Sequence, residues 1–558
     1  MNSSHHPLAD SMQAVTHEVD NQPYALEDYN LFSSDLALQE AVRREGAAGS
    51  ATELSAFGQL TGSAEVIKWG FQANKVKPEL RTHDRYGRRV DEIEFHPAYH
   101  KLMETAIVHG IHSAPWTDNR PGCNVYRAAL FYLQSQVEAG HGCPITMTFA
   151  SIPTVRKQPD IARVWEPLIT NRIYDPRNRP VAEKSGVTIG MAMTEKQGGS
   201  DVRANSTRAF PVGQRGGGEI YELVGHKYFV SAPMCDGFLV LAQAEDGLSC
   251  FLVPRWRPDG SKNPLQIQQL KNKMGNASNA SSETELRGAM GWLIGDEGRG
   301  VANILEMVAL TRFDCMIGSS AGMRQAVAQI LHHTGQRNAF GKRLTEQPLM
   351  QNVLADLALE SEAALALTMR MARALDNQED EHERQLARIG TAIGKYWICK
   401  RTPGHAYEAM ECIGGSAVME DSIMPRLYRE APVNAIWEGS GNVQCLDMLR
   451  AMTRNPGSLE ALLAEIDEAK GMNPDFDRFV SHTKNLFTDL SDAEYRARTL
   501  VEPLALALQA SLLLRADNSA VADGFCASRL QSGNHQMYGT LPRNVDCAGL
   551  IARARPQG

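Results

Sequence analysis

A single glutamate, Glu438, stands in a segment whose neighbours could give it a chemical role. Trp437 precedes it, and a bulky aromatic neighbour excludes water from a carboxylate and raises its pKa toward the range of a general base. Four small residues follow and open a predicted helix: Gly439, Ser440, Gly441 and Asn442. The N-terminus of such a helix suits a pyrophosphate. Alone, a glutamate before Gly-Ser-Gly is usually an ordinary loop residue.

A second segment, residues 191–202, combines hydroxyl groups with a pair of glycines. Thr194 and Ser200 flank Gly198 and Gly199, so the loop offers side-chain hydroxyls and backbone N–H groups that a ligand can approach closely. These groups are what a flavin ring edge and a phosphate need. Taken alone, a Gly-Gly-Ser turn is more often an ordinary surface turn.

Two further stretches carry aromatic and cationic side chains. Phe229 and Ser231 end a strand-like run, where the aromatic ring is either a core residue or a cover for a flat ligand. Arg337 and Phe340 lie between two predicted helices, and this pair alone indicates nothing. The order of the four segments along the chain gives each of them more weight than it has by itself.

The four segments, in this order, resemble the acyl-CoA dehydrogenase family. MTEKQGGSDV resembles its MTEPxxGSD loop, GHKYFVS its GxKxWITN strand, and RLYREAPVNAIWEGSGNVQ its RDxxxxxIYEGTxxIQ segment. The sequence departs from the family at Lys196 and Gln197, where proline and a small residue are usual. The resemblance implies an α+β fold with an N-terminal helical domain, a middle antiparallel β domain and a C-terminal four-helix bundle, followed here by a helical extension.

The resemblance also implies FAD as the cofactor. In the family, the loop threonine faces the isoalloxazine, the loop serine contacts the phosphates and the strand aromatic covers one ring face. The arginine and phenylalanine of the RNAFG segment reach the FAD of a neighbouring subunit. The cofactor contacts implied by position are Met193, Thr194, Gly199, Ser200, Phe229, Val230, Ser231, Arg337, Phe340, Ile436, Trp437, Gly439, Ser440, Gly441 and Asn442.

Glu438 is the catalytic base that the resemblance implies. Acyl-CoA dehydrogenation transfers a Cα proton to a carboxylate while the Cβ hydrogen leaves as hydride to flavin N5, so the base must lie against the substrate opposite the ring. Some members of the family carry the base earlier, just before the arginine of an (E/T)R pair. Here that pair is Thr311 and Arg312, so Glu438 is the single candidate.

Other stretches resemble one branch of the family, which is associated with the bacterial response to DNA alkylation. They are GHGCPITMTFA at residues 140–150, TRFDC at 311–315, and the long segment after residue 453. This likeness implies a homotetramer that binds double-stranded DNA, protects it from alkylation, and has weak acyl-CoA dehydrogenase activity. One alternative is a catabolic dehydrogenase of short or branched acyl-CoA without DNA binding. Another is a non-enzymatic DNA-binding or scaffold protein in which FAD is structural.

The DNA hypothesis depends on arginines near the end of the chain. Duplex binding requires clustered Lys and Arg that displace phosphate counterions. Residues 457–558 contain ten basic and thirteen acidic side chains, so this segment is not basic by composition. The arginines that would have to gather on one face include Arg496, Arg498, Arg515 and Arg529.

Hydrophobic patterning predicts the elements that position these residues. Short apolar runs separated by the turns Gly216-Gly217-Gly218 and Asp246-Gly247 predict strands in the middle of the chain. Apolar spacings of three and four predict long helices near 301–334, 347–376, 384–413 and 440–453. The predicted domains are helical at 1–186, β at 187–294, a helical bundle at 295–453, and a helical extension at 454–558.

Composition limits the class of protein. A chain of 558 residues, 43% of them hydrophobic, is long enough for several domains, and its net charge of −8 argues against a protein that coats nucleic acid in general. Its ten cysteines are scattered, with no CxxC motif and no cluster at metal spacing, so we expect reduced, buried thiols and no metal. The sequence has neither a run of about 18 apolar residues nor a signal-peptide pattern, which favours a cytoplasmic protein without a membrane segment.

Overall fold

The computed structural model describes residues 16–531 and 537–557, so the first fifteen residues of the chain lie outside the described part. The N-terminal domain is a layer of helices with one inserted β-hairpin. Its helices are α1 (Leu36–Arg44), α2 (Ala51–Thr61), α3 (Ala64–Lys75), α4 (Pro97–Val108), α5 (Ala114–Thr117), α6 (Cys123–Val137), α7 (Gly142–Val155) and α8 (Pro159–Ile169).

The N-terminal domain is helical, as predicted, and contains one β-hairpin between α3 and α4 that the sequence patterns did not indicate. The hairpin joins β1 (Glu79–His83) to β2 (Arg89–Glu94). The Asp84 side chain accepts hydrogen bonds from the backbone N–H groups of Tyr86 and Arg88, and Gly87 supplies a positive φ of +80°. This turn chemistry reverses the chain between two short strands, inside a region that is otherwise helical.

The middle domain is a β-barrel of short strands. They are β3 (Ile189–Ala192), β4 (Arg208–Pro211), β5 (Ile220–Ser231), β6 (Gly237–Ala244), β7 (Gly247–Pro254), β8 (Leu265–Leu270) and β9 (Ser281–Leu293). Pairing runs from β5 through β4, β6, β7 and β9 back to β5, so the sheet closes on itself. Most pairs are antiparallel, as predicted, but β3 pairs with β6 in parallel, which corrects the purely antiparallel expectation.

Long helices form the C-terminal bundle. They are α9 (Gly300–Gln336), α10 (Pro348–Asp376) and α11 (Glu381–Ile413), followed by the shorter α12 (Met424–Glu430), α13 (Val433–Ile436) and α14 (Gly441–Arg454). A small hairpin of β10 (Asn338–Ala339) and β11 (Lys342–Arg343) separates α9 from α10. Helices α9, α10 and α11 pack on one another and α14 packs on α11, so the predicted bundle is present.

The extension consists of α15 (Gly457–Asp467), α16 (Pro474–Asn485), α17 (Ala497–Leu514), α18 (Ser519–Arg529) and α19 (Cys547–Ala554). Within the described chain, α17 is the helix long and apolar enough to cross a membrane, with a mean hydropathy of 1.3. However, 67% of this helix is buried inside the protein, where it packs on α10, α11, α14 and α15. Its apolar character is therefore that of a core helix.

The buried hydrophobic residues form two cores. One joins the N-terminal helices to the bundle and the extension, and the other fills the β domain and its contacts with α7, α8 and the first turns of α9. A buried Arg127, paired with Asp314 through two hydrogen bonds of 2.5 and 2.6 Å, ties α6 to α9. All ten cysteines are free thiols and nine are buried, as predicted.

Candidate active site

Glu438 lies in the short loop between α13 and α14, with its backbone in the left-handed region at φ +56°. A residue with a side chain pays roughly 1–2 kcal/mol for this conformation, so neighbouring contacts must hold it. Arg312 Nε on α9 donates to the Glu438 carbonyl oxygen at 2.9 Å. Gln444 Nε2 on α14 donates to the carbonyl oxygens of Glu438 and Gly439 at 3.1 and 2.9 Å.

A third helix contributes a buried lysine to the same loop. Lys395 on α11 is 1% exposed, and its Nζ donates to the carbonyl oxygens of Trp437 and Gly439 at 2.8 and 2.7 Å. The backbone carbonyls of residues 437, 438 and 439 are therefore all held by side chains from the bundle. This arrangement fixes the direction of the Glu438 side chain.

The Glu438 carboxyl group meets Thr311, the residue that occupies the earlier base position of the family. Thr311 Oγ1 lies 2.8 Å from Glu438 Oε2 and 3.0 Å from the Val308 carbonyl oxygen. Burial raises the pKa of Glu438, while Thr311, Lys395 and Arg312 act in the opposite direction. Because the Thr311 hydroxyl can donate to either oxygen, it can bond the carboxyl group in both protonation states.

The thiol of Cys143, at the start of α7, lies near both the predicted flavin residue Ser231 and Glu438. Burial raises the pKa of Cys143 to about 12, with Glu438 adding to the shift and Lys273 and the Ser231 hydrogen bond opposing it. The start of α7 therefore lies close to both the base and the end of β5.

The loop after β3 carries Met193, Thr194, Gly199 and Ser200 and lies against β5. The Tyr228 backbone N–H donates to the Thr194 carbonyl oxygen at 2.9 Å. A Cβ atom on Gly199 would lie 2.5 Å from Thr194 Oγ1, so this position leaves no room for a side chain beside the threonine hydroxyl. The structure thus brings the hydroxyl of the predicted flavin loop to the end of the predicted flavin strand.

A buried ion pair fastens this loop to the barrel. Glu195 Oε1 and Lys227 Nζ are 2.9 Å apart and both side chains are fully buried. Glu195 also accepts hydrogen bonds from the backbone N–H groups of Ser206 and Thr207 at 2.7 and 3.1 Å. Neither Glu195 nor Lys227 was predicted from the sequence to have a role.

An irregularity in β5 turns Phe229 away from the sheet. The pairing register of β5 with β9 shifts between Lys227 and Val230, as in a β-bulge. Phe229 is consequently 39% exposed, while Val230 is buried and Ser231 resumes the ladder opposite Ser281. The alternative that Phe229 is a core residue is wrong, because its ring remains open to a ligand.

The start of α14 offers free backbone donors beside Glu438. Ser440 precedes the helix without a side-chain cap, so the first-turn N–H groups near Gly441 and Asn442 remain available to an anion. Ile436 is 67% exposed, and Trp437 Nε1 donates to Asn434 Oδ1 at 2.9 Å. These predicted cofactor residues therefore share one surface next to the base.

The donor set fits a flavin dinucleotide. Thr194 and Ser231 supply hydroxyls, the exposed face of Phe229 can cover a flat ring, and the close approach at Gly199 admits a ligand to the backbone. The uncapped N-terminus of α14 suits a phosphate group. In the described chain no cluster of His, Cys, Asp and Glu has the arrangement of a metal site.

Arg337 and Phe340 lie far from this surface. They belong to the hairpin after α9, about 39 Å along the helix axis from Thr311 at 1.5 Å per residue. Arg337 Nη1 donates to the Asn21 carbonyl oxygen at 2.7 Å, and Phe340 is 99% exposed at the hairpin tip. Within one chain, these two residues are not brought to the other predicted cofactor contacts.

A cavity of about 530 Å³ opens beside Arg312, between the loop after β3 and helices α9, α11 and α14. Its walls include the apolar side chains Val301, Leu305, Ala309, Ala387 and Ala392. Its remaining arginines are Arg203, Arg388, Arg450 and Arg454. Arg312 and Arg388 both pair with Asp447, whereas Arg203, Arg450 and Arg454 form no salt bridge within the described chain. The cavity therefore combines apolar walls with a surplus of positive charge.

The predicted DNA-binding arginines do not form one basic face. Arg515 pairs with the buried Glu465, and Arg529 pairs with the buried Asp356 and Glu360. These two assignments are corrected, because the guanidinium groups are engaged with carboxylates inside the protein. Arg496 pairs with Asp492 on the surface, and Arg498 Nη2 donates to Asn442 Oδ1 at 2.7 Å.

The side chains that hold the Glu438 loop were not predicted from the sequence. Gln444 and Lys395 come from two different helices, and their contacts depend on tertiary packing. One signal was present for Lys395: its neighbours at spacings of three and four are Thr391, Ala392, Ile398 and Cys399. A lysine on the buried face of a helix requires a specific partner.

Known protein families match three consecutive parts of the chain. The family described as adaptive response protein AidB N-terminal domain matches residues 21–176. The middle domain of acyl-CoA dehydrogenases matches residues 190–289, and their C-terminal domain matches residues 298–453. The three matches follow the N-terminal domain, the barrel and the bundle.

Two relatives align over most of the chain. AidB of Escherichia coli (strain K12) is 45% identical over 524 residues, which cover 93% of this chain and 96% of that protein. Acyl-CoA dehydrogenase family member 11 of Caenorhabditis elegans is 30% identical over 500 residues, which cover 87% of this chain and 79% of that protein.

Solved structures share the architecture. Caenorhabditis elegans ACDH-11 in complex with C11-CoA has a TM-score of 0.83 at 26% identity, covering 93% of this chain and 94% of that one. The apo form of Bd2924 has a TM-score of 0.80 at 28% identity, covering 89% and 99%. The chain belongs to the acyl-CoA dehydrogenase family of FAD-dependent oxidoreductases, with an N-terminal domain of the AidB type.

Proposed function

We propose that this protein oxidises an acyl-CoA thioester at its Cα–Cβ bond, with Glu438 as the base. The observation that carries the proposal is the half-buried Glu438 side chain, which bonds Thr311 and whose backbone is held by Arg312, a residue of the cavity wall. Because burial raises the pKa of Glu438, its ionised form accepts a proton more readily than an exposed carboxylate does. FAD, when bound, supplies the acceptor for the Cβ hydrogen and its electron pair.

The residues around Glu438 also suit the protonated product state. Once Glu438 has taken the Cα proton, its carboxylic acid can donate to Thr311 Oγ1, and the threonine can turn its own proton toward the Val308 carbonyl oxygen. Arg312 holds the backbone of the base in both states. The proton therefore stays at a defined atom, away from the thioester.

The cavity supports CoA as the carrier of the acyl group. Its apolar walls suit a pantetheine chain, and the arginines Arg203, Arg450 and Arg454 suit the diphosphate and ribose phosphate of the nucleotide. The structural relative ACDH-11 was solved in complex with C11-CoA. We therefore expect an acyl-CoA to enter beside Arg312, with its thioester toward Glu438.

Turnover of a chain-length series of acyl-CoA thioesters with a dye acceptor tests this proposal. We expect activity with at least one thioester, and Glu438→Gln should lose it while retaining FAD. Glu420→Gln is the matched control, because Glu420 is an exposed glutamate paired with Arg429 on the same segment. Undiminished turnover by Glu438→Gln would show that the base is another group.

The hairpin after α9 supports a homotetrameric assembly as part of the proposal. Arg337 and Phe340 lie too far along α9 to reach the FAD surface of their own chain, so they can contact FAD only across a subunit interface. Light scattering should give a mass about four times that of one chain, and Phe340→Ser should lower FAD content. A monomer that binds FAD fully would contradict this arrangement.

We propose, as a second function, that the protein binds double-stranded DNA and protects it from alkylation. The likeness to AidB and to the adaptive response domain supports this role. With Arg515 and Arg529 excluded, Arg450 and Arg454 at the end of α14 are exposed arginines available to phosphate groups. A polyanion at this position would compete with the nucleotide of CoA.

A labelled duplex titrated across a salt series tests this second function. Wild type should bind with marked salt dependence, and the double variant Arg450→Ala with Arg454→Ala should bind more weakly at every salt concentration. Arg85→Ala, at the exposed turn of the β1–β2 hairpin, is the control. Absence of binding at low salt, together with brisk acyl-CoA turnover, would favour the catabolic alternative.

A further inference from the structure

Lys395 is a buried cation whose contacts are not explained by packing alone. It lies in the middle of α11 and its ammonium group forms no salt bridge with a carboxylate of the described chain. Its side-chain hydrogen bonds run to the carbonyl oxygens of Trp437 and Gly439, on the two sides of Glu438. Burying a charge without an oppositely charged partner costs free energy. The position of Lys395 therefore calls for a functional explanation.

The two bonds act on the residue between them. Glu438 holds φ +56°, a conformation that costs roughly 1–3 kcal/mol at a non-glycine residue when nothing compensates. Lys395 bridges the carbonyls before and after this residue, so an extended backbone at Glu438 would separate the two oxygens from the single Nζ atom. Arg312 binds only the central carbonyl, and Gln444 binds those of Glu438 and Gly439, so neither reaches the Trp437 carbonyl as Lys395 does.

We propose that Lys395 is a positioning residue that locks Glu438 in the left-handed conformation required to present its carboxylate to the substrate. The inference rests on the proposed role of Glu438 as the base. Lys395 touches neither substrate nor cofactor in this account, because it acts through the backbone of the loop. Its charge also favours the ionised form of the base.

Charged and titratable groups face Glu438 from each neighbouring helix. Helix α7 contributes Cys143, and α14 contributes Asp447, which is paired with Arg312. Helix α9 contributes Arg312 and Cys315, and α11 contributes Lys395. Burial raises the pKa of both thiols, so over the working pH range they remain neutral. Lys395 is therefore a cation near the base that has no carboxylate partner of its own.

Kinetic comparison of FAD-loaded Lys395→Met with wild type is the first test. The rate of flavin reduction by an acyl-CoA should fall about a hundredfold, as for a base displaced by roughly 1 Å, with little change in KM. The acidic limb of the kcat/KM profile should move to higher pH, because the favourable charge is gone. Lys400→Met, on the exposed side of the same helix, should match wild type.

A crystal structure of the Lys395→Met holoenzyme tests the positioning without reference to activity. Glu438 should leave the left-handed region and its contact with Thr311. An unchanged loop, or a rate loss with no movement of the acidic limb, would overturn the inference. If Lys395→Met does not fold, Lys395→Gln is used, since an amide can keep one carbonyl bond without the charge. Activity in Glu438→Gln would instead contradict the proposed base and leave the structural test of Lys395 intact.

Discussion

Glu438 combines two features that each cost free energy, a left-handed backbone and a carboxyl group that is partly removed from water. Neither is needed to connect α13 to α14, because a glycine would adopt the same φ without strain. Such combinations persist where the surrounding structure over-determines them, and they cluster at active sites. The network of Lys395, Arg312 and Gln444 supplies that constraint here.

A second glutamate with a raised pKa, Glu430, is the last residue of α12. The backbone N–H of Asn276 donates to Glu430 Oε2 at 2.7 Å. Burial raises the pKa of Glu430 to about 7, and Glu138 adds to this shift while Asn276 and Lys273 oppose it. The folded protein therefore binds a proton here that an unfolded chain would release above its ordinary value of 4.5.

The pH dependence of stability follows from that difference. Below pH 4.5 Glu430 is protonated in both states, and its destabilising effect grows as pH rises from 4.5 to about 7. Glu430→Gln, which stays neutral, should gain roughly 3 kcal/mol of unfolding free energy over wild type by pH 8. Its advantage should vanish near pH 4. Thermal unfolding of both proteins at the two pH values measures this, and a constant difference would contradict it.

At the scale of elements, the loop after β3 and the bulged end of β5 form the cofactor surface together. The loop depends on β5 for its position. The Thr194 carbonyl oxygen accepts a hydrogen bond from the Tyr228 backbone, and Glu195 of the loop forms an ion pair with Lys227 of β5. The 37-residue helix α9 then links this surface to the hairpin with Phe340. One rigid helix thus connects the base region of a subunit to the residues expected at its neighbour.

Gly199→Ala tests the fit of the loop. The new Cβ would fall 2.5 Å from Thr194 Oγ1, so the threonine hydroxyl must turn away from the flavin surface. We expect FAD affinity to weaken about tenfold, which corresponds to ~1.4 kcal/mol. Gly322→Ala on α9 meets no atom within 4 Å and is the control. Equal FAD affinity in wild type and Gly199→Ala would show that the hydroxyl does not contact the cofactor.

At the scale of the whole molecule, arginines tie the extension to the rest of the chain. Arg529 on α18 reaches Asp356 and Glu360 on α10, and Arg553 on α19 reaches Glu40 and Glu362. Among the arginines that suggested a DNA surface in the sequence, Arg529 therefore holds the extension against the bundle, whereas Arg515 pairs with Glu465 inside the extension. The extension contains more acidic than basic residues, which agrees with arginines that form ion pairs within the protein.

Arg529→Met separates the structural role from the DNA role. Removal of the guanidinium leaves the buried Asp356 carboxylate without its salt-bridge partner, while Glu360 keeps its pair with Arg401. The loss should cost about 3–5 kcal/mol of unfolding free energy. DNA affinity, measured below the lowered Tm, should equal that of wild type. A variant with unchanged Tm and weakened DNA binding would restore Arg529 to a binding surface.

The sequence predicted those elements whose patterns are local. The helix expected at 347–376 is found at Pro348–Asp376, because its apolar residues recur at helical spacing. The parallel pairing of β3 with β6 was missed, since four buried residues without alternation carry no information about a partner strand. The partners of Arg529 lie 173 and 169 residues away, and only the folded structure brings such groups together.

In the candidate site, too, the residues in local motifs were predicted and the contacts between distant residues were not. Thr194, Ser231 and Glu438 were predicted because they belong to short motifs. The structure brings Thr194 to β5 through Tyr228, and Cys143 lies near both Ser231 and Glu438. The contact between Thr311 and Glu438 joins residues 127 positions apart. Lys395 was missed because its partners are backbone carbonyls, which leave no trace in side-chain composition.

The most direct test is a single-turnover experiment in which FAD-loaded protein is mixed anaerobically with acyl-CoA and the oxidised flavin absorbance is followed. Wild type should bleach with at least one thioester, and Glu438→Gln should bind the same thioester without bleaching. The rate in wild type should rise with pH as Glu438 ionises. Equal bleaching in wild type and Glu438→Gln would contradict the claim that Glu438 is the base.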